Sequence, residues 1–501
     1  MADENVRQIR GSTLLLAGRV IAIVINLAVQ VLIVRYLDRT AYGSFAYALS
    51  LASILETAST VGLDRSVARY VPLFHERGES ARALGTILTV ILAIVAIGSA
   101  AAAIMVAGRE LLPLGDGGGD ARGLILIMVA LGPLQALDHL FENVLASFGQ
   151  ARSIVLRRHL LGPGLKLAAV VAVISVSADV QLLAILYVAA ALAGILLYGP
   201  LLLRTLRGAG ILTDPRAALA STPFLELLAF SLPLLAIDLA IVARTALDAV
   251  FVEHFRGAAE VAALRSVQPV ARLNQLVFSS FTILFTPMAS RLVARNDVRG
   301  LEELYWHSAI WQALVTFPVF ALTFSLAGPI AVLLFGSRYA DAGPVLAVLA
   351  VGYYLNAATG QNAMTLRVYG RVRVLVVGAL ITAVGTILID LALIPALGAL
   401  GAAIAAAAAL AFQNGYNQVA LHLTTPVHGI RRRHLVIYAA ILLAGAALLV
   451  VQLAVRPPLP VAVLLVAAVS VGLIAAFRGE LEVAATFPEL ARLPLIGRLL
   501  T

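Results

Sequence analysis

Fourteen apolar runs, each long enough to cross a bilayer as a helix, follow one another with little chain between them. They cover Ser12–Val34, Tyr42–Gly62, Leu84–Ala107, Leu124–Leu145, Leu160–Ser177, Val180–Leu203, Leu225–Phe251, Val261–Pro287, Ile310–Phe335, Gly343–Leu366, Val374–Ile394, Gly398–Leu423, Leu435–Val455 and Leu459–Phe477. A helix needs about 20 apolar residues to span the hydrocarbon core. No water is available there to pair exposed backbone groups, so only helices and closed barrels cross it. The runs show no strict alternation and are therefore helices. With 61% hydrophobic and 13% charged residues, the chain lies far from soluble proteins, in which about a quarter of residues are charged. The fold class is an all-α polytopic membrane protein of about 14 transmembrane helices, with no space left for a large soluble catalytic module.

The net charge of +9 is a matter of topology, because the basic residues are spread along the loops and build no face for nucleic acid. With the N-terminus placed in the cytoplasm, 24 of the 36 basic residues fall on the cytoplasmic side, 7 on the other and 5 inside spans. This bias places both termini in the cytoplasm. The first apolar run is too long for a signal-peptide core, and its head carries Asp3 and Glu4, so a cleaved leader is not expected. There is no cysteine, which excludes disulfides and thiol chemistry. Gly162-Pro-Gly-Leu-Lys166 lacks the spacing of a phosphate-binding loop, and the eight histidines are scattered. No cofactor, metal or nucleic acid is expected.

The Gly-rich Gly108–Gly123 segment reads as a flexible connector, and Asp64–Ala83 as a short amphipathic helix lying at the interface, with Leu63, Val67, Tyr70, Val71 and Phe74 on its apolar stripe. Gly149 to Arg152 after span 4 and Gly370 to Arg373 after span 10 are offset by 221 residues, and the ends of spans 1 and 7 by 217. Spans 1 to 6 and 7 to 12 then form parallel repeats. The division is 1–206 for an N-terminal six-helix bundle, 207–428 for a C-terminal one, and 429–501 for accessory helices 13 and 14 with a cytoplasmic tail.

Polar residues inside the spans are the candidates for function, since intramembrane charge is costly and normally faces a cavity or a partner. Span 1 carries Ser12, Arg19, Asn26 and Gln30 within about 40° of one another at helical spacing. Span 8 carries Arg265, Gln268, Arg272, Gln275 and Ser279 within about 80°. Span 7 adds Asp238, Arg244 and Asp248. If spans 1 and 7 are equivalent, these stripes converge between the two halves. Alternatives stand beside this: Arg244 and Asp248 as an intrahelical pair, and Arg19 snorkelling to the cytosolic interface. Arg272 has no acid three or four residues away. Glu56, Asp138 and Glu142 are candidates for ion or proton coupling together with Asp238, and Lys166 is placed to bridge Asp138 or Glu142. The set Gln413, Asn414, Asn417 and Gln418 reads as interhelical hydrogen bonding. Pro233, Pro269, Pro318 and Pro329 supply kinks.

Several segments resemble a known family. Val34–Tyr47 (VRYLDRTAYGSFAY) is similar to the helix 1 to 2 junction of polysaccharide flippases, as is Gly62–Arg69 (GLDRSVAR) after helix 2. Ile394–Ile404 (IPALGALGAAI) looks like their helix 11 to 12 turn. With Gly149 to Arg152 and Gly370 to Arg373, the resemblance runs over nearly the whole chain. It points to the oligosaccharide/polysaccharide (O-antigen type) flippases of the multidrug/oligosaccharidyl-lipid/polysaccharide exporter superfamily. It implies two six-helix bundles in a V plus two further helices, in the inner (cytoplasmic) membrane. It also implies alternating access that carries a polyprenyl-diphosphate-linked glycan to the outer leaflet, with membrane lipid and glycan polymerase or ligase machinery as partners. In that setting Arg19, Arg265 and Arg272 suit the diphosphate, for which the Arg fork is well shaped, and Arg65 and Arg69 suit the headgroup at the cytoplasmic entry. Two departures are Asp390, where the pattern has Asn, and the acids of span 7. The competing functions are a lipid II flippase, a cation-coupled drug or metabolite antiporter, a membrane glycan polymerase and a non-transporting scaffold. The leading one is a transporter, not an enzyme.

Overall fold

The computed structural model describes residues 2–108, 119–427 and 432–481. Most of the Gly-rich connector, with Arg109, lies outside them, as do Arg431 and the tail with Arg492 and Arg498; the side chains of Ser12 and Pro233 are not described either. The chain forms two compact units, Met1–Ala262 and Ala263–Thr501. The division between the units falls inside a helix, whereas the repeat offsets place the boundary between bundles at 206/207.

The helices of the first unit are α1 (Ala2–Tyr36), α2 (Arg39–Thr60), α3 (Leu63–Glu76), α4 (Ser80–Ala107), α5 (Gly119–Met128), α6 (Leu131–Ser147), α7 (Ala151–Ile154), α8 (Gly162–Ser175), α9 (Val180–Gly208), α10 (Pro215–Ala220), α11 (Phe224–Thr245) and α12 (Leu247–Arg256), with α13 (Ala258–Arg272) leading into the second. That unit continues with α14 (Leu276–Ala294), α15 (Val298–Ser325), α16 (Ala327–Phe335), α17 (Ala342–Ala358), α18 (Asn362–Val368), α19 (Val372–Leu397), α20 (Ala399–Thr424), α21 (Arg432–Ala454), α22 (Leu459–Ala476) and α23 (Arg478–Leu481). No strand occurs among the described residues. Among the described residues twelve helices are long and apolar enough to cross a membrane, and counting each of two bent pairs as one span gives up to 14.

Local chemistry sets the starts and breaks. The Asp38 carboxylate accepts the Ala41 N–H at 2.9 Å to begin α2, and Asp179 caps α9 through the Leu182 N–H at 3.1 Å, each satisfying a donor that the first turn leaves open. Between α2 and α3 the chain bends by 45° through Val61 and Gly62, both at positive φ. The apolar stripe of α3 forms as its spacing predicts, but it is not presented to the interface. Val67, Tyr70, Val71 and Phe74 pack with Ile87, Val90 and Ile94 of α4 and Leu140 and Val144 of α6 in one core. A stripe of large apolar groups is satisfied equally by lipid or by neighbouring helices, and here the helices supply the contact.

Proline positions separate kinks from ends. Pro233 lies where Phe224–Leu232 and Ile237–Arg256 meet at 49°, and Pro269 and Pro318 lie inside α13 and α15. Pro329 instead falls in the first turn of α16, after a break at Leu326, where a missing N–H costs nothing. Span 9 is thus α15 followed by a separate short helix. Span 10 is interrupted at Thr359–Gln361, with Gly360 at φ +78. The helices of 429–501, as far as they are described, pack in the second unit: Ile437, Ile441 and Val466 share a core with Phe317, Phe320 and Tyr354.

The turn between α19 and α20 is a single residue, Gly398, at φ 56 and ψ −131, a conformation that side chains with a Cβ avoid. Three residues on, a Cβ at Gly401 would lie 2.7 Å from the Leu393 carbonyl oxygen, while one at Gly415 of the same helix would meet nothing within 4 Å. Gly401→Leu is therefore expected to lower the unfolding midpoint of the detergent-solubilised protein by the equivalent of about 1–3 kcal/mol, with Gly415→Leu near wild type. Equal effects would refute the close helix approach.

Candidate functional site: charged cavities in the first unit

From Ala151 to Ser175 the first unit runs as one helical segment, but Val155–Leu161 is wound as a π-helix. Its sequence reason is Pro163, which has no N–H to donate and whose ring crowds the carbonyl four residues back. Widening the turn accommodates this, and the Gly162 N–H reaches back to the Arg157 carbonyl instead. Such turns are rare and occur often at functional sites. The widened turn also re-aims two arginines. Arg157 becomes buried, and its Nη2 lies 2.7 Å from Asp138 Oδ1 on α6, while Arg158 pairs with Glu142 one turn further along α6.

Glycines make the space for Arg157. A Cβ on Gly194 of α9 would lie 2.2 Å from Arg157 Nη2, and one on Gly162 would lie 2.8 Å from Nη1. The Tyr198 ring centroid lies 5.7 Å from the guanidinium carbon, within range of a cation–π contact. Asn26, Gln135, Asp138, His139, Glu142, Arg157, Arg158 and Lys166 line a cavity of about 170 Å³. A second cavity of about 160 Å³ is lined by Glu56, Asp64, Arg65, His139 and Asp238. His139 Nδ1 of α6 lies 2.7 Å from Glu56 Oε1 of α2, and His139 lines both cavities.

Several expectations change here. Arg157 and Arg158, counted by sequence as loop charges that set topology, are members of the site. Lys166 lines the cavity but does not bridge Asp138 or Glu142, whose ion-pair partners are Arg157 and Arg158. Arg65 and Asp238, placed by sequence in separate roles, form an ion pair with each other. Arg69 is exposed and lies over the Phe230 ring at 4.5 Å. Arg19 is exposed, the Asn26 amide donates to the Ala22 carbonyl at 2.8 Å, and Gln30 donates to the Tyr42 hydroxyl at 2.5 Å. Asp248 is buried and accepts the Ala249 N–H at 2.7 Å. The regular helix is interrupted at Ala246, between Arg244 and Asp248.

The second unit holds the remaining candidates in a different chemical setting. Arg265 Nη1 donates to Gln268 Oε1, and Arg272, exposed, donates through Nε to the Tyr353 hydroxyl at 3.1 Å. Gln275 sits in the 3-10 turn Leu273–Gln275 between α13 and α14. The polar set on α20 is interhelical glue, as its composition suggests. Asn414 accepts from Thr359 and donates to Asn356, both at 2.9 Å; Gln418 accepts from Tyr305 at 2.6 Å and Gln413 from Thr382 at 2.9 Å. Asp390 is fully buried within α19.

A buried arginine left without its acid costs about 3–5 kcal/mol, whereas exposed pairs contribute about 0–1 kcal/mol. Arg157 is 9% exposed and Arg158 59%. Asp138→Asn is therefore expected to lower the detergent unfolding midpoint much more than Glu142→Gln, and Gly194→Ala to act like Asp138→Asn by displacing the guanidinium. The reverse order for the two acids would contradict the assignment.

The sequence profile of a family described as "Polysaccharide biosynthesis protein" matches residues 9–293, and that of the MatE family matches residues 233–393. No curated protein matches the chain by sequence. Among solved structures, the chain is similar to "Lipid II flippase MurJ, inward closed conformation", at a TM-score of 0.73 and 15% identity, covering 94% of this chain and 100% of that one. It is also similar to the inward-facing conformation of a multidrug resistance MATE family transporter of the MOP superfamily, at 0.63 and 14%, covering 80% and 95%. A mutant form of the Vibrio cholerae MATE transporter VcmN aligns at 0.55 and 16%, covering 83% and 97%. At these identities the likeness is one of fold.

Proposed function

The chain belongs to the polysaccharide biosynthesis protein family, and from that premise we propose that it is a flippase that moves a polyprenyl-diphosphate-linked oligosaccharide from the inner to the outer leaflet by alternating access. The observation that carries the proposal is the family match over residues 9–293, which spans the helices bearing the cationic and amide side chains. A diphosphate is recognised by forked guanidinium donors, and Arg19, Arg265 and Arg272 are the residues assigned to it. Asn26, Gln30, Gln268 and Gln275 supply hydrogen bonds to glycan hydroxyls, and Arg65 and Arg69 meet the headgroup on entry. Asp238, Arg244 and Asp248 complete the polar lining. The setting is the inner membrane with both termini cytoplasmic, beside the polymerase and ligase that consume the exported glycan.

A second reading, a flippase for lipid II, is favoured by the fold likeness over 94% of the chain to a protein of that title. A third, a cation-coupled antiporter, is favoured by the MatE match over residues 233–393. Deletion is expected to accumulate cytoplasm-facing lipid-linked oligosaccharide and to remove surface glycan, and Arg272→Ala to reproduce this with roughly a tenfold loss of export, the equivalent of one lost charge-assisted contact. Lethality with accumulated cell-wall precursor selects the lipid II reading. Increased drug sensitivity with normal surface glycan selects the antiporter.

A further inference from the structure

The two cavities of the first unit that share His139 do not balance in formal charge. Their walls carry five carboxylates: Glu56 on α2, Asp64 on α3, Asp138 and Glu142 on α6, and Asp238 on α11. Against these stand four basic side chains: Arg65 on α3, Arg157 and Arg158 on the π-turn, and Lys166 on α8. Among the described residues of the other helices packed here, α1 presents the Asn26 amide to the cavities and α9 presents Tyr187, His159 follows Arg158 on the π-turn, and α4 carries no charge between Arg82 and Ala107. Asp238 is taken by Arg65, Asp138 by Arg157 and Glu142 by Arg158. Uncompensated charge among apolar helices is costly, and one further positive charge, a bound proton, would bring the set to neutrality.

One group is positioned to supply it. His139 lines both cavities and is bonded to Glu56 at 2.7 Å. Glu56 is only 17% exposed, while His139 is 57% exposed, so the acid is held inside and the imidazole has access to water. Histidine is the side chain whose ordinary titration range lies between about pH 5 and 8. We infer that the Glu56–His139 pair is a proton-binding site that brings these cavities to neutrality, and that translocation is coupled to its occupancy. The first clause stands on the charge balance; the second rests on the flippase reading. A proton is favoured over a metal cation because Glu56 already has its partner, and because no group of three His, Asp or Glu side chains able to hold a metal occurs among the described residues.

Two measurements test this. In nanodiscs, the imidazole NMR signals assigned by loss in His139→Gln are expected to titrate, and Glu56→Gln to move the midpoint down by about one pH unit or more. A ring that stays neutral down to about pH 5, or does not respond to Glu56→Gln, overturns the site. In proteoliposomes, an imposed pH difference of about one unit, worth up to about tenfold per coupled proton, is expected to speed movement of a labelled polyprenyl-diphosphate oligosaccharide several-fold. His139→Lys, with its fixed charge, is expected to abolish the response. Wild-type movement indifferent to pH, or following a Na⁺ gradient instead, overturns coupling while leaving the flippase reading intact. No movement under any gradient overturns the flippase reading, while the ring titration still judges the proton site. The titrations of wild type and Glu56→Gln decide that site even if His139→Lys does not fold.

Discussion

The requirement that buried charge be neutralised where it lies governs the first unit, and the Asp138–Arg157 pair is its centre. A guanidinium cannot shed its proton, so burying Arg157 commits the fold to an acid beside it, to space for a planar group and to a backbone that aims it correctly. Asp138 is the acid, Gly194 and Gly162 leave the space, and the π-turn forced by Pro163 provides the aim. Removing any one of these leaves the other two without a purpose. Glu142 with Arg158 extends the same solution along α6, and Glu56 meets His139 of the same helix.

The second unit meets the same apolar surroundings with neutral groups. Its polar residues are mostly amides and hydroxyls that satisfy one another across α15, α17, α18 and α20 around the interruption at Thr359–Gln361. Neutral networks impose no charge balance, and the broken span is held by hydrogen bonds that the freed backbone would otherwise lack. The two units therefore differ chemically. The first pairs charges across its helices, and the second holds Arg265 and Arg272 against an amide and a tyrosine hydroxyl.

Much of this was legible in the sequence, for identifiable reasons. Apolar runs predict the spans because backbone satisfaction in lipid leaves no alternative, and the α20 amides predict cross-helix bonding because they have no other use in hydrocarbon. The roles of Arg157 and Arg158 were not legible. They follow Gly149 and Gln150 in a stretch rich in basic residues, which reads as a loop unless the widened turn before Pro163 is anticipated. His139 was passed over because one histidine beside Asp138 shows no spacing pattern, and its partner Glu56 is 83 residues away in sequence. The stripe of α3 was read correctly as amphipathic, but periodicity does not say whether lipid or helix covers it. Pro329 looked like a kink because nothing local marks the end of α15 at Ser325.

The central claim is that this chain moves a lipid-linked diphosphate glycan. The most direct measurement is reconstitution of the purified protein in liposomes with a labelled polyprenyl-diphosphate oligosaccharide, followed by its accessibility to an impermeant glycan-modifying reagent. The account predicts protein-dependent movement of the diphosphate-linked glycan, reduced by excess unlabelled polyprenyl diphosphate and absent for the same glycan on a neutral polyprenol. Equal movement of the neutral lipid, or none of the diphosphate form from protein that is folded, would contradict it.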